Sequence, residues 1–197
     1  MEPDDLENAV RDLRSGGVVI IPTDTVYGLA AAAENSAAVD AMFALKNRPV
    51  DVLVAVLVAD IDQARNYVDL GPAGEALAAR FWPGPLTIVA PRHVVGSLAA
   101  GDDETLGVRC PDDVVAVALA SAVGPISATS ANVHGGDTPV RAAEVAALFP
   151  TIATVLDDGP RPGVASTVVS VVGPTPVVLR EGSITEAEIE AIVASDS

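Results

Sequence analysis

The stretch LENAVRDLRSGGVVIIPTDTVYG, residues 6–28, decides the fold. Leu6 to Ser15 reads as a helix behind acidic residues, closed by Gly16-Gly17. Val18 to Ile21 is an unbroken apolar strand that Pro22 stops. A strand apolar at every position is covered on both faces, as in a sheet held between helices. The same alternation continues. Helices are expected at Ser36–Lys46, Ile61–Val68, Gly74–Phe81, Asp112–Ala122 and Arg141–Leu148, with strands at Leu53–Val58, Leu86–Ala90, Leu106–Arg109 and Ile126–Thr129. Thr154–Leu156, Thr167–Val172 and Val177–Arg180 are expected as closing strands, before a last helix opened by the capping box Thr185-Glu186-Ala187-Glu188. These late strands follow one another without helices between them. The fold class is therefore α/β, an open, twisted, mixed sheet flanked by helices.

Composition agrees with this and narrows the function. At 197 residues, half of them hydrophobic, the chain is expected to form one domain, 1–197. Aromatics are only 3%, so Val, Ala, Leu and Ile fill the core. No apolar run approaches the roughly 20 residues that span a bilayer. The acidic start, Met1-Glu2-Pro3-Asp4-Asp5, has no signal-peptide pattern, so a cytoplasmic protein without membrane partners is expected. Acidic residues number 27 against 11 basic ones, a formal net charge of −16, which argues against strong direct RNA binding. Cys110 is the only cysteine and reads as a small buried residue in preference to a catalytic thiol. His93 and His134 are too scattered to hold a metal, and no metal-ligating residues are identified.

In open α/β sheets, ligands gather at loops beyond strand ends. Pro22-Thr23-Asp24-Thr25-Val26-Tyr27-Gly28 follows the first strand; its hydroxyls and carboxylate suit a ligand and equally suit a capped turn. Lys46-Asn47-Arg48-Pro49 follows a helix and contains the only lysine. Those two cations suit an anion, although they could also complement the helix dipole. Ser130-Ala131-Asn132 ends a strand, Ser166-Thr167 opens one, and Arg180 closes one. Trp82-Pro83-Gly84-Pro85 reads as a structural turn. With cations so scarce, Lys46, Arg48, Arg109 and Arg180 at element ends point to anion binding by side chains from several strands. There is no glycine-rich phosphate loop and no nucleophile elbow.

Taken together, these segments resemble the YrdC-like family of threonylcarbamoyl-adenylate synthases. Seven pieces occur in the family's order: Pro22 to Leu29, Lys46 to Pro49, Trp82 to Thr87, Val108-Arg109, Ser130 to Asn132, Ser166 to Val169, and Leu179 to Gly182. The resemblance covers about Gly16 to Ile192, and no extra C-terminal domain is expected. It implies the fold above and an enzyme that converts L-threonine, bicarbonate and ATP into threonylcarbamoyl-AMP for tRNA modification. The implied catalytic residues are Lys46, Arg48, Ser130 and Asn132. Threonine is expected at Thr25, Arg109, Ser130 and Ser166; ATP at Lys46, Arg48, Thr105, Asn132 and Arg180. Mg2+ is expected with ATP, no organic cofactor is implied, and a tRNA threonylcarbamoyl transferase complex would act downstream.

Lys46→Ala and Arg48→Ala are expected to stop turnover without disturbing the fold, because both residues are placed at exposed element ends. Departures from the family pattern stand at Val52, Leu53 and Leu57, and at His134. They keep a non-catalytic YrdC-like paralogue in view beside a double-stranded RNA-binding module and a carbamoyl-adenylating domain of hydrogenase maturation.

Overall fold

A computed structural model describes residues 3–46, 54–93, 98–133 and 136–195. Arg48, Val52, Leu53 and His134 lie outside the described residues. In chain order the elements are α1 (Pro3–Arg14), β1 (Val19–Ile21), β2 (Gly28–Ala32), α2 (Ser36–Leu45), β3 (Ala55–Leu57), α3 (Ile61–Arg65) and α4 (Gly71–Phe81). There follow β4 (Leu86–Pro91), β5 (Thr105–Arg109), α5 (Val114–Val123), β6 (Ile126–Ser130), α6 (Ala142–Leu148), β7 (Thr167–Ser170), β8 (Val177–Arg180) and α7 (Glu186–Ser195).

The strands form one sheet in the order β1-β2-β6-β3-β5-β4-β7-β8. Only β3 with β5 and β4 with β7 pair in parallel; the remaining neighbours are antiparallel. The expected mixed sheet is present. Its two faces are covered unequally. One face packs Val39, Met42 and Phe43 of α2, Leu77 of α4 and Ile189 of α7 onto Leu86, Ile88, Leu106, Val108 and Val169. On the other face, Ala9 and Leu13 of α1 and Val115, Ala116 and Leu119 of α5 cover only the half made by β1, β2, β6 and β3. Alternate residues of β4, β5 and β7 (Thr87, Val89, Gly107, Arg109 and Val168) therefore face a cavity. Full cover on both faces, expected from the apolar runs, holds for the first half of the sheet and fails where the cavity lies.

Three local differences have physical causes. β2, Gly-Leu-Ala-Ala-Ala, is not among the expected strands; alanine is a weak strand former, but between β1 and β6 its small buried side chains fit a tight antiparallel ladder. Thr154–Leu156 contributes a single parallel bridge, Val155 to Ile20, and not a strand of the sheet. The helix from Ile61 ends at Arg65 and not at Val68. Caps agree with the sequence where they were expected: Glu188 Oε2 accepts from Thr185 N at 2.9 Å, and Glu188 N donates to Thr185 Oγ1 at 3.4 Å.

Candidate active site

A cavity of about 190 Å³ opens over the uncovered half of the sheet. Arg109 enters it from the end of β5, 5% exposed and held on three sides. Its Nε donates to Gly84 O at 3.0 Å, Nη1 to Thr25 Oγ1 at 3.1 Å and Nη2 to Asp24 Oδ1 at 2.5 Å. Thr25 is fixed in turn by Thr23. The Thr23 hydroxyl spends its one proton on Val26 O at 2.6 Å, so in its 3.0 Å contact with Thr25 Oγ1 it is the acceptor. Thr25 thus donates to Thr23, accepts from Arg109, and has one lone pair left for a donor in the cavity.

Opposite, Arg180 at the end of β8 lies over the first residue before β7. Its Nη2 donates to Ser166 O at 2.8 Å and approaches Ser166 Oγ at 3.3 Å, while Nε reaches Ser166 O at 3.2 Å. Ser166 Oγ also meets Thr87 Oγ1 at 3.0 Å. Much of the Arg180 side chain is exposed, yet enclosure of its guanidinium, and then the positive charge of Arg109, push its pKa below the ordinary arginine value. Two cations that disfavour each other across a part-apolar cavity are stabilised by an anion placed between them.

The third corner is built on Lys46, just past α2. It is 2% exposed, and its ammonium donates to Ser130 O at 2.5 Å, Asn132 Oδ1 at 3.0 Å and Thr129 Oγ1 at 3.1 Å. Ser130 Oγ donates to the same Asn132 oxygen at 2.7 Å, and Asn132 Nδ2 donates to Gly136 O at 2.5 Å. Lys46 therefore braces the end of β6 from within, which corrects its expected place at an exposed element end. The expectation that Lys46→Ala leaves the fold undisturbed falls with it.

A strap, residues 157–165, locks the hydroxyl loop in place. Arg161 Nε donates to Thr23 O at 2.9 Å, and its Nη2 bridges Asp158 Oδ2 at 2.7 Å and Asp113 Oδ2 at 3.2 Å. Buried Tyr27 donates to Gly159 O at 2.7 Å; burial pushes its phenol pKa up. At Gly163 any Cβ would run into the Thr25 carbonyl, so only glycine lets the strap lie this close. Thr167, fully buried, accepts from Gly182 N at 2.9 Å and Ile184 N at 3.0 Å, which fixes the turn after Arg180.

Of the residues singled out in the sequence, Thr25, Arg109, Ser130, Ser166 and Arg180 line one cavity, with Lys46 and Asn132 bonded behind Ser130. Thr105 does not line it. It shares the cavity face of β5 two residues beyond Gly107, with its hydroxyl donating to Asp102 Oδ2 at 2.9 Å. Leu57 lies buried in β3, on the cavity wall. Asp24, Thr87, Gly84 O and Arg161 were missed as contributors. Asp24 and Thr87 stood inside quoted motifs, but their partners lie 85 and 79 residues away. Cys110 is buried, as expected, with its thiol pushed up to about 11 by burial and nearby Asp60 and Asp24. Among the described residues no cluster of His, Cys, Asp and Glu could hold a metal ion, and no helix is long and apolar enough to cross a membrane.

A family model for Sua5/YciO/YrdC, described as "Telomere recombination", matches residues 11–182. A threonylcarbamoyl-AMP synthase of Bacillus subtilis is 42% identical over 189 residues, covering 92% of this chain and 54% of the relative. The crystal structure of P. abyssi Sua5 complexed with L-threonine matches with a TM-score of 0.90 at 37% identity, over 98% of this chain and 58% of that one. E. coli YciO matches with a TM-score of 0.84 at 24% identity, over 95% of this chain and 94% of that one, a likeness of fold alone. The chain spans about half the length of the Bacillus subtilis and Pyrococcus abyssi synthases it matches.

Proposed function

This chain belongs to the Sua5/YciO/YrdC family, and from that premise we propose that it is a nucleotidyltransferase joining L-threonine, bicarbonate and ATP into threonylcarbamoyl-AMP. The observation that carries this reading is the convergence of Arg109 and Arg180, from separate strands of an acidic chain, on one cavity edged by Thr25, Ser130 and Ser166. Such a site takes a small molecule with more than one anionic group. The relative solved with L-threonine supports an amino acid as one occupant.

Arg109 takes the threonine carboxylate through N–H groups not used by Gly84, Thr25 and Asp24. Thr25 offers its remaining lone pair to the amine or hydroxyl of the amino acid. The amine nitrogen attacks the carbon of carbon dioxide, in equilibrium with bicarbonate, and gives up a proton to water to leave the carbamate. A carbamate oxygen then attacks the α-phosphorus of ATP, and the bond to the β-phosphate oxygen breaks to release pyrophosphate. Arg180, with Lys46, Ser130, Asn132 and Arg48, is assigned to the nucleotide and its phosphates. No side chain needs to form a covalent bond, so positioning and charge neutralisation supply the rate.

The described residues offer magnesium no carboxylate cage: Asp24, the acid beside the cavity, is committed to Arg109. Magnesium here belongs to ATP and its water. The adenylate would be made in the cytoplasm and consumed by a separate tRNA threonylcarbamoyl transferase complex. Incubation with ATP, L-threonine and 13C-bicarbonate tests the proposal by mass spectrometry. A product containing AMP, threonine and one labelled carbon is expected. A threonine-containing adenylate without the label would contradict the carbamate step.

A further inference from the structure

We propose that Asp24 is a positioning residue that sets the orientation in which Arg109 meets the carboxylate of the amino-acid substrate. This role presupposes the amino-acid site proposed above.

A guanidinium carries five N–H groups: one on Nε and two on each terminal nitrogen. In Arg109 the Nε–H goes to Gly84 O, one Nη1–H to Thr25 Oγ1 and one Nη2–H to Asp24 Oδ1. Two N–H groups remain, one on each terminal nitrogen. That is the number a carboxylate takes when it binds an arginine through both oxygens. The consecutive residues Thr25 and Asp24 thus use one hydrogen on each terminal nitrogen and leave one on each.

Of the three anchors, only Asp24 is charged. Its bond at 2.5 Å is the shortest of the set, and both side chains are largely shielded from water, 6% exposed for Arg109 and 12% for Asp24. All three bonds have an ionised donor, but only the one to Asp24 joins opposite charges, so Asp24 adds an ion-pair attraction that the other two anchors lack. The carboxylate does not itself line the cavity, whereas Thr25 and Arg109 do. Asp24 therefore acts on a ligand through Arg109. Its negative charge also partly neutralises Arg109, whose positive charge bears on Arg180.

Asp24 is itself seated. Thr23 and Thr25, on either side, are tied to each other, and Arg161 holds the Thr23 carbonyl at 2.9 Å. A rigid support of this kind is what a binding group needs if it is to stay within a few tenths of an ångström of its working position.

The test compares kcat/KM for L-threonine with that for L-threoninamide, which lacks the carboxylate, in the wild type, Asp24→Asn and Asp24→Ala. Asparagine keeps an acceptor oxygen in place without the charge; alanine removes both. The preference for threonine over the amide is expected to fall about threefold in Asp24→Asn and about tenfold in Asp24→Ala, with the KM for ATP within about twofold of wild type. A wild-type preference ratio in either folded variant overturns the proposal. So does a rise in the KM for ATP as large as the loss in threonine preference, which marks general damage to the site. If neither variant folds, Asp24 belongs to the framework and the proposal is equally overturned. A wild-type enzyme without threonine-dependent turnover would instead remove the amino-acid site itself, and Asp24's assignment with it.

Discussion

Lys46→Met tests the most unexpected feature of the site, a lysine that is 2% exposed and bonded inward. Methionine has nearly the same length and volume but cannot donate. The substitution withdraws a charged donor from Ser130 O at 2.5 Å, Asn132 Oδ1 at 3.0 Å and Thr129 Oγ1 at 3.1 Å. Each such bond contributes about 1.5–3 kcal/mol. The several kcal/mol that it costs to bury an ammonium offsets part of this. Asn132 Oδ1 also keeps its bond from Ser130 Oγ. A net loss of about 2–4 kcal/mol follows. For a domain of this size that is about 4–16 °C in the unfolding midpoint. Calorimetry on wild type and variant, at matched concentration without ligands, reads it directly. A variant that melts within about 2 °C of the wild type would refute the reasoning, because the buried network would then contribute almost nothing. Turnover should be measured well below the variant's midpoint, where loss of activity reports the site and not the fold.

Other outcomes follow from the same geometry. Thr167→Val is nearly isosteric but strips Gly182 N and Ile184 N of their acceptor; a loss of about 2–4 kcal/mol by urea denaturation is expected, and none would contradict the bracing of the turn after Arg180. Gly163→Ala can be accommodated only by moving the Thr25 carbonyl; weaker L-threonine binding by calorimetry and a stability loss of about 2–3 kcal/mol are expected, and unchanged binding would show that the strap does not set Thr25. The folded chain keeps the Cys110 proton up to about pH 11, while the unfolded chain releases it near 9. Stability linked to this thiol is complete below pH 9 and is lost as pH rises toward 11, by at most about 2.7 kcal/mol in all. Cys110→Ala should flatten that alkaline decline in midpoint, and an equally steep decline would contradict it.

Much of the architecture was legible because apolar runs and glycine or proline stops are local signals. Val18 to Ile21, Leu86 to Ala90 and Val177 to Arg180 fall on or within a residue of their strands. What escaped depended on partners distant in sequence. Ala-rich β2 is a strand only because β1 and β6 flank it. The exposed end predicted for Lys46 failed because β6 and the turn to Asn132 close over the end of α2, a contact across 86 residues. Scarcity of cations singled out Arg109 and Arg180, and both line the cavity. Scarcity could say nothing of Asp24, one acid among 27 acidic residues. Its contact with Arg109 forms only in the folded chain, across 85 residues of sequence. Thr105 was carried by resemblance alone, and its hydroxyl turns to Asp102.

The central claim is that the cavity joins an amino acid, bicarbonate and ATP. The measurement that tests it most directly is pyrophosphate release from ATP by the purified chain, with L-threonine and bicarbonate each present or withheld. Release that requires both co-substrates is the predicted result. Release indifferent to threonine, or none from folded protein with all three present, would contradict the assignment of Arg109 and Thr25 to the amino acid.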